Sequence, residues 1–153
     1  MPPATRHCKD GRRRGSYGHT SFTFLGYMFR PRGARRADGK MFAGFQPAVS
    51  PEALKKVGQQ VRRWRIHTRT GHGLDELAAL VNPVVAGLTG RFYRSQLYLL
   101  LRRINTYLMR WAGKKYKRLR AYKRFRRWWS EVTDRVPRLF AHWAWTQEPA
   151  GFR

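Results

Sequence analysis

Between Glu76 and Glu131 the chain carries no carboxylate, while lysine and arginine recur throughout that interval. The chemistry open to these residue types is electrostatic. Guanidinium and ammonium groups hold phosphate oxygens, and both stay charged at neutral pH. The candidate anion-binding residues are Arg62, Arg63, Arg91, Arg94, Arg102, Arg103, Arg110, Lys114, Lys115, Lys117, Arg118, Arg120, Lys123, Arg124, Arg126 and Arg127. Lys114 with Arg118, Arg120 with Arg124, and Lys123 with Arg127 stand four residues apart, so on a helix each would be a like-charge pair costing about 0.2–0.5 kcal/mol. A solvated helix face normally mixes signs. A face of one sign is better explained by a polyanion that neutralises it, and nucleic acid is favoured over a purely solubilising role.

Other chemistry finds little support. His7, His19, His67, His72 and His142 are dispersed without the spacing of metal ligands, and Cys8 is the one cysteine. Asp10, Asp38, Asp75 and Asp134 form no pair able to hold two magnesium ions. Asp75 and Glu76 suit the first turn of a helix, where carboxylates meet the positive end of the dipole. No glycine loop of the phosphate-cradling type occurs. The sequence therefore predicts no catalytic residue, no metal and no cofactor, and a protein that is not itself an enzyme.

The elements that must position the cations are helices. Leu97, Leu101, Ile104, Leu108 and Trp111 recur in steps of four and three, the period of a buried helix face. A second ladder, Leu119, Tyr122, Phe125 and Trp129, predicts a second long basic helix after Gly113. Ser50, Pro51 and Glu52 form a helix start: hydroxyl cap, proline in the first turn, then an acid. That helix puts Leu54, Val57, Val61 and Trp64 on one side. The apolar segment that follows, residues 74–88, is expected to break or kink at Pro83, and Pro137 should limit the last long helix. Leu139, Phe140 and Trp143 then suit a short amphipathic turn.

Ahead of residue 50 the pattern changes. Residues 1–18 are polar, basic and loop-like. Residues 20–30 read as a strand, with Phe22, Phe24 and Met28 on one face and Leu25, Tyr27 and Phe29 on the other. Gly26 marks a bulge or a close approach by another backbone. A basic loop leads to a second apolar run at 41–45, which predicts a hairpin with a long, positive tip.

Composition sets the outer limits. A net charge of +25 over 153 residues, beside 42% hydrophobic residues, describes a folded polyanion binder and not a disordered basic tail. The N-terminus lacks the apolar segment of a signal peptide, and the longest apolar run, residues 97–101, is far short of the ~20 that span a bilayer. The expectation is a cytoplasmic protein without membrane insertion. A basic amphipathic helix also suits DNA or an anionic membrane surface, and these are the competing readings.

Several motifs in order give the chain a family likeness. They are His7-Cys8-Lys9-Asp10, Gly15-Ser16-Tyr17, and Thr20-Ser21-Phe22-Thr23-Phe24-Leu25-Gly26-Tyr27 with Phe29-Arg30-Pro31-Arg32. Asn82-Pro83-Val84-Val85 with Gly87, then Gly90-Arg91-Phe92-Tyr93-Arg94-Ser95, and finally Leu139-Phe140-Ala141-His142-Trp143, continue the series. Together they resemble the C-terminal part of group II intron reverse transcriptases, or maturases. The resemblance implies a mainly α fold: a palm-end β-hairpin over residues 1–48, a helical thumb (domain X) over 49–145, and a tail over 146–153. It implies Leu25 and Gly26 as a primer-grip-like pair, and group II intron RNA as the partner, with a DNA target or a separate palm fragment as further partners. It also implies a truncated or split piece, since no Tyr-x-Asp-Asp occurs in the sequence and no nuclease module follows Trp143. Where family members carry a longer aromatic stretch this chain has only Gly87-Leu88-Thr89-Gly90, an apparent shortening that removes aromatics from thumb packing.

Overall fold

The computed structural model describes residues 21–44 and 47–149. His7, Cys8, Asp10, His19 and the motifs at residues 7–17 lie outside them. The fold is mainly α, with small strands before the helices. The chain divides into two compact units, Met1–Lys55 and Lys56–Arg153.

In the first unit the expected single strand over residues 20–30 is a hairpin. Strands β1 (Phe22–Phe24) and β2 (Tyr27–Phe29) pair antiparallel, with Phe22 opposite Phe29 and Phe24 opposite Tyr27. Leu25 (φ 50°) and Gly26 (φ 82°) form the two-residue connection, both left-handed, as the right-handed twist of paired strands requires. Continuous alternation concealed this turn, because leucine rarely occupies such a position and costs about 1–2 kcal/mol there. Gly26 does meet another backbone: its carbonyl accepts the amide of Ser50 at 2.8 Å. Strand β5 (Ala48–Val49) adds to β2, giving the order β1-β2-β5.

The long-tipped hairpin also differs from expectation. Its first arm is not residues 20–30 but β3 (Arg32–Arg35), inside the stretch read as loop, and it pairs with β4 (Met41–Gly44). The tip is closed by Arg36 N donating to Lys40 O and Gly39 N donating to Arg36 O, both 2.9 Å. Expected cover on both faces is not found within these strands, since Phe24 is 61% and Met41 69% exposed.

Helix α1 (Pro51–Arg63) starts where its cap predicts, with Ala53 N donating to Ser50 Oγ at 3.1 Å. From Lys56 onward the chain belongs to the helical unit. Val61 and Trp64 are buried there, and a 3-10 turn follows at Ile66–Thr68.

Helix α2 (Leu74–Arg91) runs through Pro83 without the expected break, and residues 87–90 form its last turn. Proline removes one amide donor from the ladder, a loss that the turns on either side outweigh once Leu77, Val81 and Val85 are buried. The cap reading holds: Glu76 Oε2 accepts the amide of Gly73 at 2.7 Å.

Helix α3 (Arg94–Lys115) is the core element. Leu97, Leu101, Ile104, Leu108 and Trp111 are each 0–1% exposed, so the whole ladder is buried as its period predicts. The second ladder is not one helix. A 3-10 turn (Lys117–Arg120) and helix α4 (Tyr122–Arg135) follow, separated by extended residues Tyr116 and Ala121. Leu119, Phe125 and Trp129 are buried, whereas Tyr122 is 47% exposed and leaves the ladder.

The break has an electrostatic consequence. Lys114 and Arg118, and likewise Arg120 and Arg124, now sit on different elements and are not i,i+4 neighbours. Of the three expected pairs, only Lys123 and Arg127 share a helix at that spacing. Two of the three expected pairs thus lose helical i,i+4 spacing, while Arg110 and Lys114 keep it on α3.

A 3-10 turn at Ala141–Ala144 closes the unit, burying Phe140, His142 and Trp143. Two sequence motifs meet at this point. Asn82 Nδ2 donates to Leu139 O at 2.9 Å, and its Oδ1 accepts the Ala141 amide at 2.8 Å. Asn105, fully buried, uses every polar position it has. Its amide donates to Thr146 O (3.1 Å) and Glu148 O (3.3 Å), while Oδ1 accepts His142 Nε2 (2.7 Å) and Trp143 Nε1 (3.0 Å). Residues 146–149 therefore run along the helices, held also by Trp129 Nε1 on Gln147 O at 2.8 Å.

Candidate nucleic-acid interface

The candidate cations divide by what their head groups touch. Arg102 turns inward: Nη2 donates to Pro149 O at 2.9 Å, and the guanidinium lies 5.5 Å from the Tyr98 ring centre. Lys115 does likewise, its Nζ donating to His72 O at 2.6 Å and lying 5.2 Å from the Trp111 ring. Both are half-buried and serve the fold. Arg94 lies over Trp145 at 4.9 Å, and Arg120 Nε reaches Gly113 O at 3.4 Å, yet both remain exposed.

The remaining candidates are exposed at identifiable places. Arg62 and Arg63 occupy the last turn of α1, and Arg91 that of α2, where cations oppose the negative dipole end. Arg103, Arg110 and Lys114 line the outer face of α3, with Arg103 Nη1 only 3.7 Å from where a Cβ on Gly58 would stand. Lys117 and Arg118 sit on the 3-10 turn, and Lys123, Arg124, Arg126 and Arg127 on α4.

Two open grooves bring part of this set together. Arg118, Arg124 and Arg127 line one of about 250 Å³ together with Leu119, Trp128 and Glu131. Lys123, Arg126 and Arg127 line a second, of about 440 Å³, with Ser130, Glu131 and Asp134. Trp128 is the residue sequence reading missed here. It is half-buried, its ring 5.9 Å from Phe125 and 6.2 Å from Tyr116, and it offers an indole face inside an arginine-lined groove. Its position four residues after Arg124 was the available signal.

Two acids enter these grooves, Glu131 in both and Asp134 in the second. Among the described residues the ion pair is Arg127 Nε with Glu131 Oε1 at 3.3 Å, and both side chains are largely exposed. Such a pair is worth little in water and yields readily to a phosphate.

Among the described residues no group of three potential metal ligands occurs. His142 is buried and held neutral, its imidazole pushed down to about 3 by desolvation. Its Nε2–H donates to Asn105, and Nδ1 is left without a partner. His67 is also lowered from 6.5, first by burial and then by Lys114, Arg110 and Arg65.

Leu25 and Gly26 lie in the strand-containing unit, at the tip of the β1–β2 hairpin. Leu25 is 75% exposed there. Among the described residues no helix is long and apolar enough to cross a membrane.

Comparison with known proteins yields one family. The family model described as group II intron, maturase-specific domain, matches residues 54–129, which run from α1 through most of α4. No curated protein and no solved structure matches the chain. The matched domain is the maturase-specific one, not the catalytic polymerase. Over residues 54–129 the chain thus carries the group II intron maturase-specific domain, and its function is maturase-related.

Proposed function

We propose that this chain binds structured group II intron RNA through its phosphates and so assists splicing and mobility of the intron. The observation that carries the reading is the exposed, nearly acid-free set of cations on α3, the 117–120 turn and α4, inside the stretch that matches the maturase-specific domain. Arginine forks suit phosphate oxygens, and Trp128 supplies a stacking surface beside them. Phosphate contacts carry no sequence information, so weak sequence preference is expected.

The test is binding to a structured intron RNA across a salt series. With about six phosphates neutralised, log K against log salt should fall with a slope of roughly −4 to −5.5. A slope near zero would sink the proposal, as would stronger binding to anionic vesicles than to RNA at matched salt. The chain on its own is expected to make no DNA from a primed template, magnesium and nucleotides. Extension lost on mutating this chain would overturn that expectation.

A further inference from the structure

Away from the arginine-lined grooves, a second group of cations surrounds an aromatic pair. The Ile66–Thr68 turn packs on α3 and stacks the His67 imidazole on Tyr107, ring centres 5.8 Å apart. Arg110, three residues further along α3, holds its guanidinium 6.0 Å from the Tyr107 ring centre. Lys114, one turn beyond, and Arg65, just before His67, complete the group, and all three cations act on this imidazole.

The turn that presents them is fixed. Arg65 adopts a left-handed backbone, φ 48°, which a non-glycine residue keeps only when its surroundings hold it. Its carbonyl accepts Thr68 N at 2.9 Å and Thr68 Oγ1 at 2.8 Å. Arg69 Nε donates to Trp64 O at 2.7 Å, and Trp111 Nε1 donates to Arg69 O at 2.9 Å, tying the turn to the core.

The charged and titratable groups around His67 are of one sign or neutral. From α3 come Tyr107, Arg110 and Lys114, and from the turn itself Arg65. Arg69 is committed to Trp64 O, while on the next loop the His72 carbonyl is committed to Lys115. Among the described residues no carboxylate pairs with Arg65, Arg110 or Lys114, and buried His67 Nδ1 has no partner. One cation beside the turn and two on α3, none of them paired with a carboxylate, thus surround the imidazole.

We propose that Arg65, Arg110, Lys114 and His67 form a phosphodiester-binding site at which His67 takes up a proton from solvent as RNA binds. The site rests on the RNA-binding reading given above and adds a specific location and a pH response to it. In the free protein burial first, and then the three cations, oppose imidazolium formation. A phosphate seated among them cancels that field, so imidazolium becomes favourable and adds a further donor to the phosphate. The bound state then holds more protons than the free state, and by linkage affinity rises as pH falls.

Two measurements on the full chain test this with a hairpin of group II intron RNA as probe. Histidine carbon–proton NMR follows the His67 titration with and without RNA, and a binding series covers pH 7.5 to 5.5. The expected result is a His67 midpoint that rises by about one unit with RNA, and an affinity that grows roughly fivefold over the series. H67Q should flatten the pH profile, and R110Q with K114Q should leave the His67 midpoint unresponsive to RNA. Salt-dependent binding with an unmoved His67 midpoint and an unchanged profile in H67Q would overturn the site while leaving RNA binding intact. Failure to bind RNA at any pH or salt would remove the underlying reading and the site together.

Discussion

Helix α3 and the segment after it, residues 117–135, draw on the same vocabulary of arginine, lysine, leucine and large aromatics, yet they solve opposite problems. In α3 the ladder runs unbroken from Leu97 to Trp111, and buried leucines and isoleucine outweigh the charges on the other face. In 117–135 cations crowd the sequence, and the chain gives up helical continuity at Tyr116 and Ala121. What it keeps is a run of rings. Trp111, Tyr116, Trp128, Trp129, Trp143 and Phe140 follow one another with centres 4.8–6.3 Å apart. The difference shows that a helix period is enough where one face is apolar, whereas dense like charge must be divided among elements and anchored by individual aromatics.

The largest effect should come from breaking the α3 side of this contrast. Trp111→Ala removes a fully buried indole and the donor to Arg69 O, and should cost about 3–5 kcal/mol by urea unfolding. Trp128→Ala, at a half-buried ring, should cost only about 1 kcal/mol while weakening RNA binding severalfold. Equal stability losses would erase the distinction between the two regions.

Acid should weaken the junction between them. The folded protein keeps His142 neutral down to about 3, whereas the unfolded chain protonates it near 6.5. The stabilising effect is complete above the unfolded value and is lost as pH falls from there towards the folded one, by up to about 1.4 kcal/mol per pH unit. Urea midpoints measured between pH 7.5 and 4.5 should show this slope, and His142→Gln should diminish it.

The smallest effect concerns the like-charge pair Lys123 and Arg127 within α4. Lys123→Glu replaces repulsion of Arg127 by attraction and puts an acid in the first turn of α4, and should stabilise the protein by about 0.5–1 kcal/mol in thermal melts. RNA affinity should fall at the same time. A variant that gains stability without losing affinity would place RNA elsewhere.

How far sequence could see follows from the same physics. The α3 core, the Ser50 cap and the Asp75–Glu76 helix start were legible because each depends on residues within a few positions of one another. The Leu25 turn was not, since strand alternation continues across it and leucine gives no turn signal. The boundary expected at Gly113 falls slightly later, since α3 runs on to Lys115, and no glycine or proline marks the break at Ala121. The inward fates of Arg102 and Lys115 depend on carbonyls of Pro149 and His72, far off in sequence. That Arg65 and His67 stand near Arg110 and Lys114 was not legible either, because packing of the Ile66–Thr68 turn on α3 is what makes them neighbours.

Asn105 gives the fold a sense of time. Four of its bonds end on residues 142, 143, 146 and 148, and Asn82 waits on residues 139 and 141. Both amides must stay hydrated until residues 139–149 fold back across α2 and α3, so docking of that one stretch is the step that closes the helical unit. A state in which it has not docked leaves two helix amides and the rings of Trp129 and Phe140 open to water.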